Sequence, residues 1–107
     1  MSTDHRYDVL ALGEPLIEFN QVRGGDAHAW RQGYGGDTSN MAIAAARLGV
    51  RVAYVTRLGD DAFGREFRAL WSAEGVARDG VATDPDAPTG GYFVTHGTAG
   101  HAFAYLG

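Results

Sequence analysis

The chain contains no cysteine, which excludes disulfides, thiolate nucleophiles and cysteine-ligated metal centres. It also contains no lysine, since all nine basic residues are arginine. A Walker-type phosphate loop needs a lysine on the phosphates and Schiff-base catalysis needs a lysine amine, so both are excluded. The four histidines, His5, His28, His96 and His101, show no i,i+4 pairing of the kind that builds a zinc site on one helix. No apolar run approaches the roughly 20 residues that span a bilayer, and Met1–Arg6 is polar where a secretory signal would be hydrophobic. Excess positive charge is missing too. The formal net charge of −4 runs against the basic balance of nucleic-acid-binding domains. The expected setting is the cytoplasm, with neither a nucleic acid nor a membrane as partner.

What remains is a chain of 107 residues, 45% hydrophobic and 21% charged, the size and balance of one small globular domain at most. Its most informative stretch runs from Tyr34 to Gly49. Gly35 and Gly36 bring bare backbone up to a helix expected over about Thr38 to Leu48, with Gly49 as its stop. The first turn carries Asp37, Thr38, Ser39 and Asn40. Free N–H groups, a positive dipole end and short polar side chains suit a polyhydroxylated or anionic ligand. The same residues also favour helix N-caps for structural reasons alone, and the segment by itself leaves both readings open.

Elsewhere, periodicity predicts the elements. Tyr7–Leu12 reads as a buried strand and Leu16–Phe19 as a short half-exposed one. Arg23–Asp26 is a turn, and Ala27–Gln32 is a further strand anchored by Trp30. Arg51–Leu58 is β-branched and aromatic, as strands prefer. Asp60 or Asp61 then caps a second helix whose Phe63, Phe67, Leu70 and Trp71 form one apolar stripe, with Gly75 closing it. From Val76 the texture changes, and Asp84–Pro88 is a loop. Gly90–Thr95 and His101–Leu106 alternate as a β-hairpin, with His101, Phe103 and Tyr105 on one face. The pattern indicates an α/β layer with a parallel sheet, and a second small sheet standing on it. Two long strands and two helices do not cover both faces of such a sheet. The aromatic stripe of the second helix likewise calls for a partner beyond this chain. The expectation is therefore an N-terminal piece of a longer protein, with a small domain completed by oligomerisation as the alternative.

Four segments, Val9–Glu18, Gly35–Ala42, Ala45–Gly49 and Arg57–Gly64, together resemble the N-terminal part of ribokinase-like (PfkB-type) carbohydrate kinases. Within that family the Gly13-Glu14-Pro15 opening and Gly35-Gly36-Asp37-Thr38 are most similar to the 2-keto-3-deoxygluconate kinases. The resemblance implies a ribokinase-like α/β fold with a partial Rossmann-like parallel sheet (about 7–13 and 35–80) and a small β-sheet lid (about 14–34 and 88–107). It implies transfer of the ATP γ-phosphoryl group to a sugar or keto-sugar-acid hydroxyl, with ATP and Mg²⁺. The catalytic aspartate motif and nucleotide loops of such enzymes have no counterpart here, so this chain would supply sugar-binding residues and no turnover. Those residues would be Gly35, Gly36, Asp37 and Asn40, with Glu18, Tyr92 and Tyr105 from the lid. The chemistry agrees: glycine backbone approaches a hydroxyl without a Cβ clash, while Asp37 and Asn40 offer acceptors and a donor. One departure stands out. The arginine that usually follows the second lid tyrosine does not come directly after Tyr105, where Leu106 and Gly107 stand; either it lies beyond residue 107 or the substrate is not a keto acid.

Two other readings compete. A dinucleotide-binding turn using Gly33, Gly35 and Gly36 would have to follow directly on the first strand, yet Gly33 comes about twenty residues after Gly13. A non-catalytic sugar-binding or dimerisation module would use the exposed hairpin as a homodimer edge.

Overall fold

Residues 6–106 are described by the structure, a computed structural model; Met1–His5 and Gly107, the last residue expected in the lid, lie outside the described residues. The elements run β1 (Val9–Leu12), β2 (Leu16–Gln21), β3 (Trp30–Gly35), α1 (Asp37–Arg47), β4 (Val52–Gly59), α2 (Ala62–Ala73), β5 (Ala77–Asp84), β6 (Gly91–Gly97) and β7 (Gly100–Leu106). They form a parallel three-stranded sheet, β1-β4-β5, and a separate four-stranded sheet, β3-β2-β6-β7. The mixed α/β architecture is as expected. In the second sheet β2 pairs parallel with β6, and the pairs β2–β3 and β6–β7 are antiparallel.

Three details differ from the sequence reading. First, β5 falls where the sequence reading assigned no element. Its Ala-Arg-Asp-Gly-Val-Ala-Thr-Asp sequence has little strand character, and backbone pairing with β4 makes it a strand. Gly80 permits this, because a Cβ there would lie 2.9 Å from Val55 Cγ2. Second, β3 begins at Trp30 rather than Ala27, and β2 extends to Gln21. Third, the aromatic stripe of α2 finds its partners within this chain, contrary to the expectation above. Trp71 stacks on Tyr54 of β4, with centroids 4.5 Å apart, and on Phe67 at 5.4 Å. Its indole N–H donates to Ser39 Oγ at 2.9 Å. Ala11, Val52 and Tyr54 of the sheet meet Ala42 of α1 and Phe67 and Trp71 of α2 in one buried cluster. The opposite side of β1 remains open, with Leu10 60% and Leu12 69% exposed.

The Tyr54 hydroxyl is buried and finds no hydrogen-bond partner among the described residues. Burial pushes its pKa up to about 12, with Thr38 drawing it down and the charge of Glu14 adding to the rise.

A knot at Asp61 joins the two sheets. Asp61 caps α2, its Oδ1 accepting from Gly64 N at 2.8 Å and from Thr89 Oγ1 at 2.7 Å. Its Oδ2 accepts from Thr89 N at 2.8 Å, and Thr89 Oγ1 in turn accepts from Gly59 N at 3.0 Å. Thr89 stands just before β6, so this carboxylate fixes where the hairpin leaves the body. Burial alone would push the carboxyl up. The hydrogen bonds from Thr89 and Gly64, with Arg65 nearby, outweigh it and hold the pKa below the usual value. A depressed folded-state pKa adds stability above the unfolded value, and that stability is lost as pH falls through the folded one. Asp61→Ala should therefore cost about 1–2 kcal/mol at neutral pH. The gap to the parent should close in acid, and urea midpoints at pH 7 and pH 3 would check it.

Candidate functional site

The β3–α1 junction is built on two glycines. Gly35 ends β3, and Gly36 is the N-cap of α1 with φ of +95°, a region that L side chains rarely enter. No side-chain cap hydrogen bond closes this helix start, so the purely structural capping role open to these side chains is not realised. Within the first turn the polar residues divide. Ser39 points inward to Trp71, whereas Asp37 is exposed. Asn40 lines a hollow of about 390 Å³ together with Tyr34, Ile43 and Arg47. Neither Tyr92 nor Tyr105 lines that hollow.

Across the small sheet, strand register places Gly33, Glu18, Tyr92 and Tyr105 in one row. Side chains opposite one another share a face, and this row forms one surface. Tyr92 OH donates to Glu18 Oε1 at 3.2 Å, and the Tyr92 and Tyr105 rings lie 5.6 Å apart. Tyr92 also sits directly over the glycine junction, since a Cβ on Gly35 would come within 2.5 Å of its hydroxyl. Burial, then the charge and hydrogen bond of Glu18, and further Tyr105 and Asp37, raise the Tyr92 pKa. The phenol thus stays a neutral hydrogen-bond donor at physiological pH. Tyr105 is open, at 68% exposure. The structure therefore brings Gly35, Gly36, Asp37, Glu18, Tyr92 and Tyr105 together and places Asn40 in another concavity.

The other face of the small sheet is apolar and anchored. Phe19 meets Phe63 edge-on at 5.6 Å and stacks on Phe93 at 5.0 Å, while Tyr34 packs on Phe67 at 5.3 Å. Gln32 donates to Glu66 on α2 at 2.9 Å. These contacts hold the first face over the start of α1.

The sequence reading missed a polar hollow of about 490 Å³ running from Glu18 and Gly33 to Arg23 and His96. A signal was present in the alternation of Arg31, Gln32 and Gly33, but the pairing of β2 with β6 that encloses the hollow is not local.

A family model described as pfkB family carbohydrate kinase matches residues 7–106. The chain belongs to this family. The 2-dehydro-3-deoxygluconokinase of Thermoproteus tenax is 40% identical over 89 residues, 80% of this chain and 27% of that protein. Fructokinase-1 of Oryza sativa subsp. japonica is 43% identical over 91 residues, 81% of this chain and 28% of that protein. The chain thus spans little more than a quarter of the length of these curated relatives. Among solved structures, the ATP-bound fructokinase of Xylella fastidiosa superposes with a TM-score of 0.85 at 32% identity, covering 92% of this chain and 30% of that one. The fold is ribokinase-like, with a parallel sheet and a separate small sheet. The dinucleotide-binding alternative falls with this result, as Gly35 and Gly36 follow a strand of the small sheet and not a strand of the parallel sheet.

Proposed function

We propose that this pfkB chain forms the sugar-binding part of a kinase that transfers the ATP γ-phosphoryl group to a hydroxyl of a sugar or keto-sugar acid, with 2-keto-3-deoxygluconate as the favoured substrate and fructose as the neutral contender. The row of Glu18, Tyr92 and Tyr105 held over the Gly35–Gly36 junction carries the reading. Backbone N–H groups at the α1 start and the Asp37 carboxylate would hold sugar hydroxyls from below. The Tyr92 phenol, oriented by Glu18, and the Tyr105 ring would cover the sugar from above and keep water from the acceptor oxygen. Asn40 joins the set only if the sugar extends along α1.

ATP and Mg²⁺ would supply the phosphoryl group and the charge stabilisation of its transfer. The described residues contain no group of three or more His, Cys, Asp or Glu able to hold an ion. In this reading nucleotide and metal are bound by a part of the kinase fold that these 107 residues do not span, and the reaction takes place in the cytoplasm. The 107-residue chain alone is expected to bind sugar weakly and to show no ATP-dependent phosphorylation of 2-keto-3-deoxygluconate. Tyr92→Phe removes the donor and should weaken sugar binding about five- to tenfold, with little change in stability. Calorimetric titration with 2-keto-3-deoxygluconate and fructose tests this. Equal binding by parent and variant counts against the site, and measurable turnover counts against the missing machinery.

A second reading, a non-catalytic sugar-binding or dimerisation module, is favoured by β7. This edge strand is exposed along its whole length, with Phe103 at 53%. A homodimer through the lid would appear as a doubled mass in sedimentation.

A further inference from the structure

We infer that the polar hollow beyond Glu18 is an oxyanion subsite, which receives a carboxylate or phosphate at the far end of an extended sugar chain. The inference rests on the sugar-site reading above and deepens it by naming a charge on the ligand. The hollow begins at Glu18 and Gly33, both in the row of Tyr92, and runs outward past Asn20 and Arg31 to Arg23 and His96. Arg31 pairs with Asn20 two positions beyond Gly33, so its Cα lies about 7 Å further along the strand. That is the length of an extended six-carbon chain whose near end lies under Tyr92.

The groups lining it favour an anion. Two guanidinium groups, Arg23 and Arg31, face one carboxylate, Glu18, which already accepts from Tyr92. Neither arginine has a carboxylate partner among the described residues, in a chain whose net charge is −4 and where Arg47, Arg51, Arg57 and Arg65 are all paired. Arg23 is not loose. Its NH2 lies 3.2 Å from His96 Nδ1, and because a guanidinium can only donate, Nδ1 must accept. The other ring nitrogen then carries the hydrogen and donates to Asn20 Oδ1 at 2.7 Å. His96 backbone N–H donates to Gln21 Oε1 at 3.0 Å and fixes the ring's position. This chain of bonds aims Arg23 into the hollow, and its other guanidinium N–H groups meet no acceptor among the described residues. A guanidinium pair recognises a carboxylate or phosphate through charge-assisted, bidentate bonds.

The test is a titration of the ¹⁵N-labelled chain with fructose, gluconate and fructose 6-phosphate, followed at the amides of Gly35, Tyr92, Arg31 and His96. At least one anionic sugar should bind about tenfold tighter than fructose, exposed charge pairs being weakened by solvent. That preference should fade in high salt and in Arg31→Gln with Arg23→Gln. Gluconate ahead of fructose 6-phosphate identifies a carboxylate subsite, and the reverse order a phosphate subsite. Arg78→Gln, an exposed arginine on the other sheet, should leave the preference intact. Equal affinities for all three sugars, or a preference that survives the double variant, overturn the anion subsite and leave the sugar site standing. Anions that shift only Arg31 and His96, with no sugar reaching Gly35 or Tyr92, overturn the sugar-site reading instead. Silence from all three ligands overturns both.

Discussion

Trp71→Ala is expected to unfold this chain or leave it at the edge of unfolding at room temperature. Trp71 is fully buried between Tyr54 and Phe67 and ties α2 to both β4 and α1. Truncating a buried tryptophan costs about 3–5 kcal/mol, part of it for the cavity left behind. Whole-domain stabilities are about 5–15 kcal/mol, and a small chain with one open sheet face sits near the bottom of that range. Trp71→Phe separates packing from polarity. It keeps a ring against Tyr54 but leaves the buried Ser39 hydroxyl without its donor, at about 1–2 kcal/mol. Tyr54→Phe, which removes an unpartnered hydroxyl from the same stack, should be neutral or slightly stabilising. Urea denaturation followed by circular dichroism ranks the three. A Trp71→Ala chain with an unshifted midpoint would show that this cluster is not the core.

Gly35→Ala should abolish sugar binding while sparing the fold, and Gly36→Ala should damage both. At Gly35 the new methyl would lie 2.5 Å from Tyr92 OH and 2.7 Å from its Cε1. Those atoms are the far end of a side chain, so the ring can swing away. In doing so it leaves Glu18 and the space above α1. Binding should fall by more than tenfold, about the worth of one well-placed donor and its ring contact, with a stability change below about 1 kcal/mol. At Gly36 the methyl would meet backbone instead, 2.9 Å from Glu14 O and 3.2 Å from Pro15 Cα, at a φ of +95°. Backbone does not swing away. Strain of this kind costs about 1–3 kcal/mol before the clash is counted. The two variants, compared by sugar titration and by thermal melting, should therefore part company. If Gly35→Ala binds sugar as the parent does, Tyr92 does not cover the ligand.

Much of the architecture was legible from local pattern. The α2 stripe from Phe63 to Trp71, the Asp61 cap and the alternation of the final hairpin each follow from a spacing that the backbone imposes within a few residues. The glycine pair was equally legible, because L side chains rarely adopt the geometry at Gly36. β5 was not. Its polar sequence becomes a strand only because β4 presents an edge to pair with, which lies far away in the chain. Part of the candidate site's layout was legible as well. Gly35, Gly36 and Asp37 stand in one continuous segment, and Tyr92 and Tyr105 alternate on one hairpin face. Asn40, three residues along the same helix, turns about the axis into a hollow beside Tyr34, which the run of polar residues does not reveal.

By itself the order of residues determined the family, the element types and the glycine-based helix start, since each rests on short-range geometry or on contiguous motifs. Only the tertiary structure decided that Glu18 and Tyr92 share a row, that Ser39 serves Trp71 and not a ligand, and that Arg23, Arg31 and His96 enclose one hollow. The row and the hollow follow from β2 lying parallel to β6 across more than seventy residues of chain, and the Ser39 contact from α1 packing beside α2. Such pairing is supported by Phe19 stacking on Phe93 and meeting Phe63 of α2, contacts that no local segment carries.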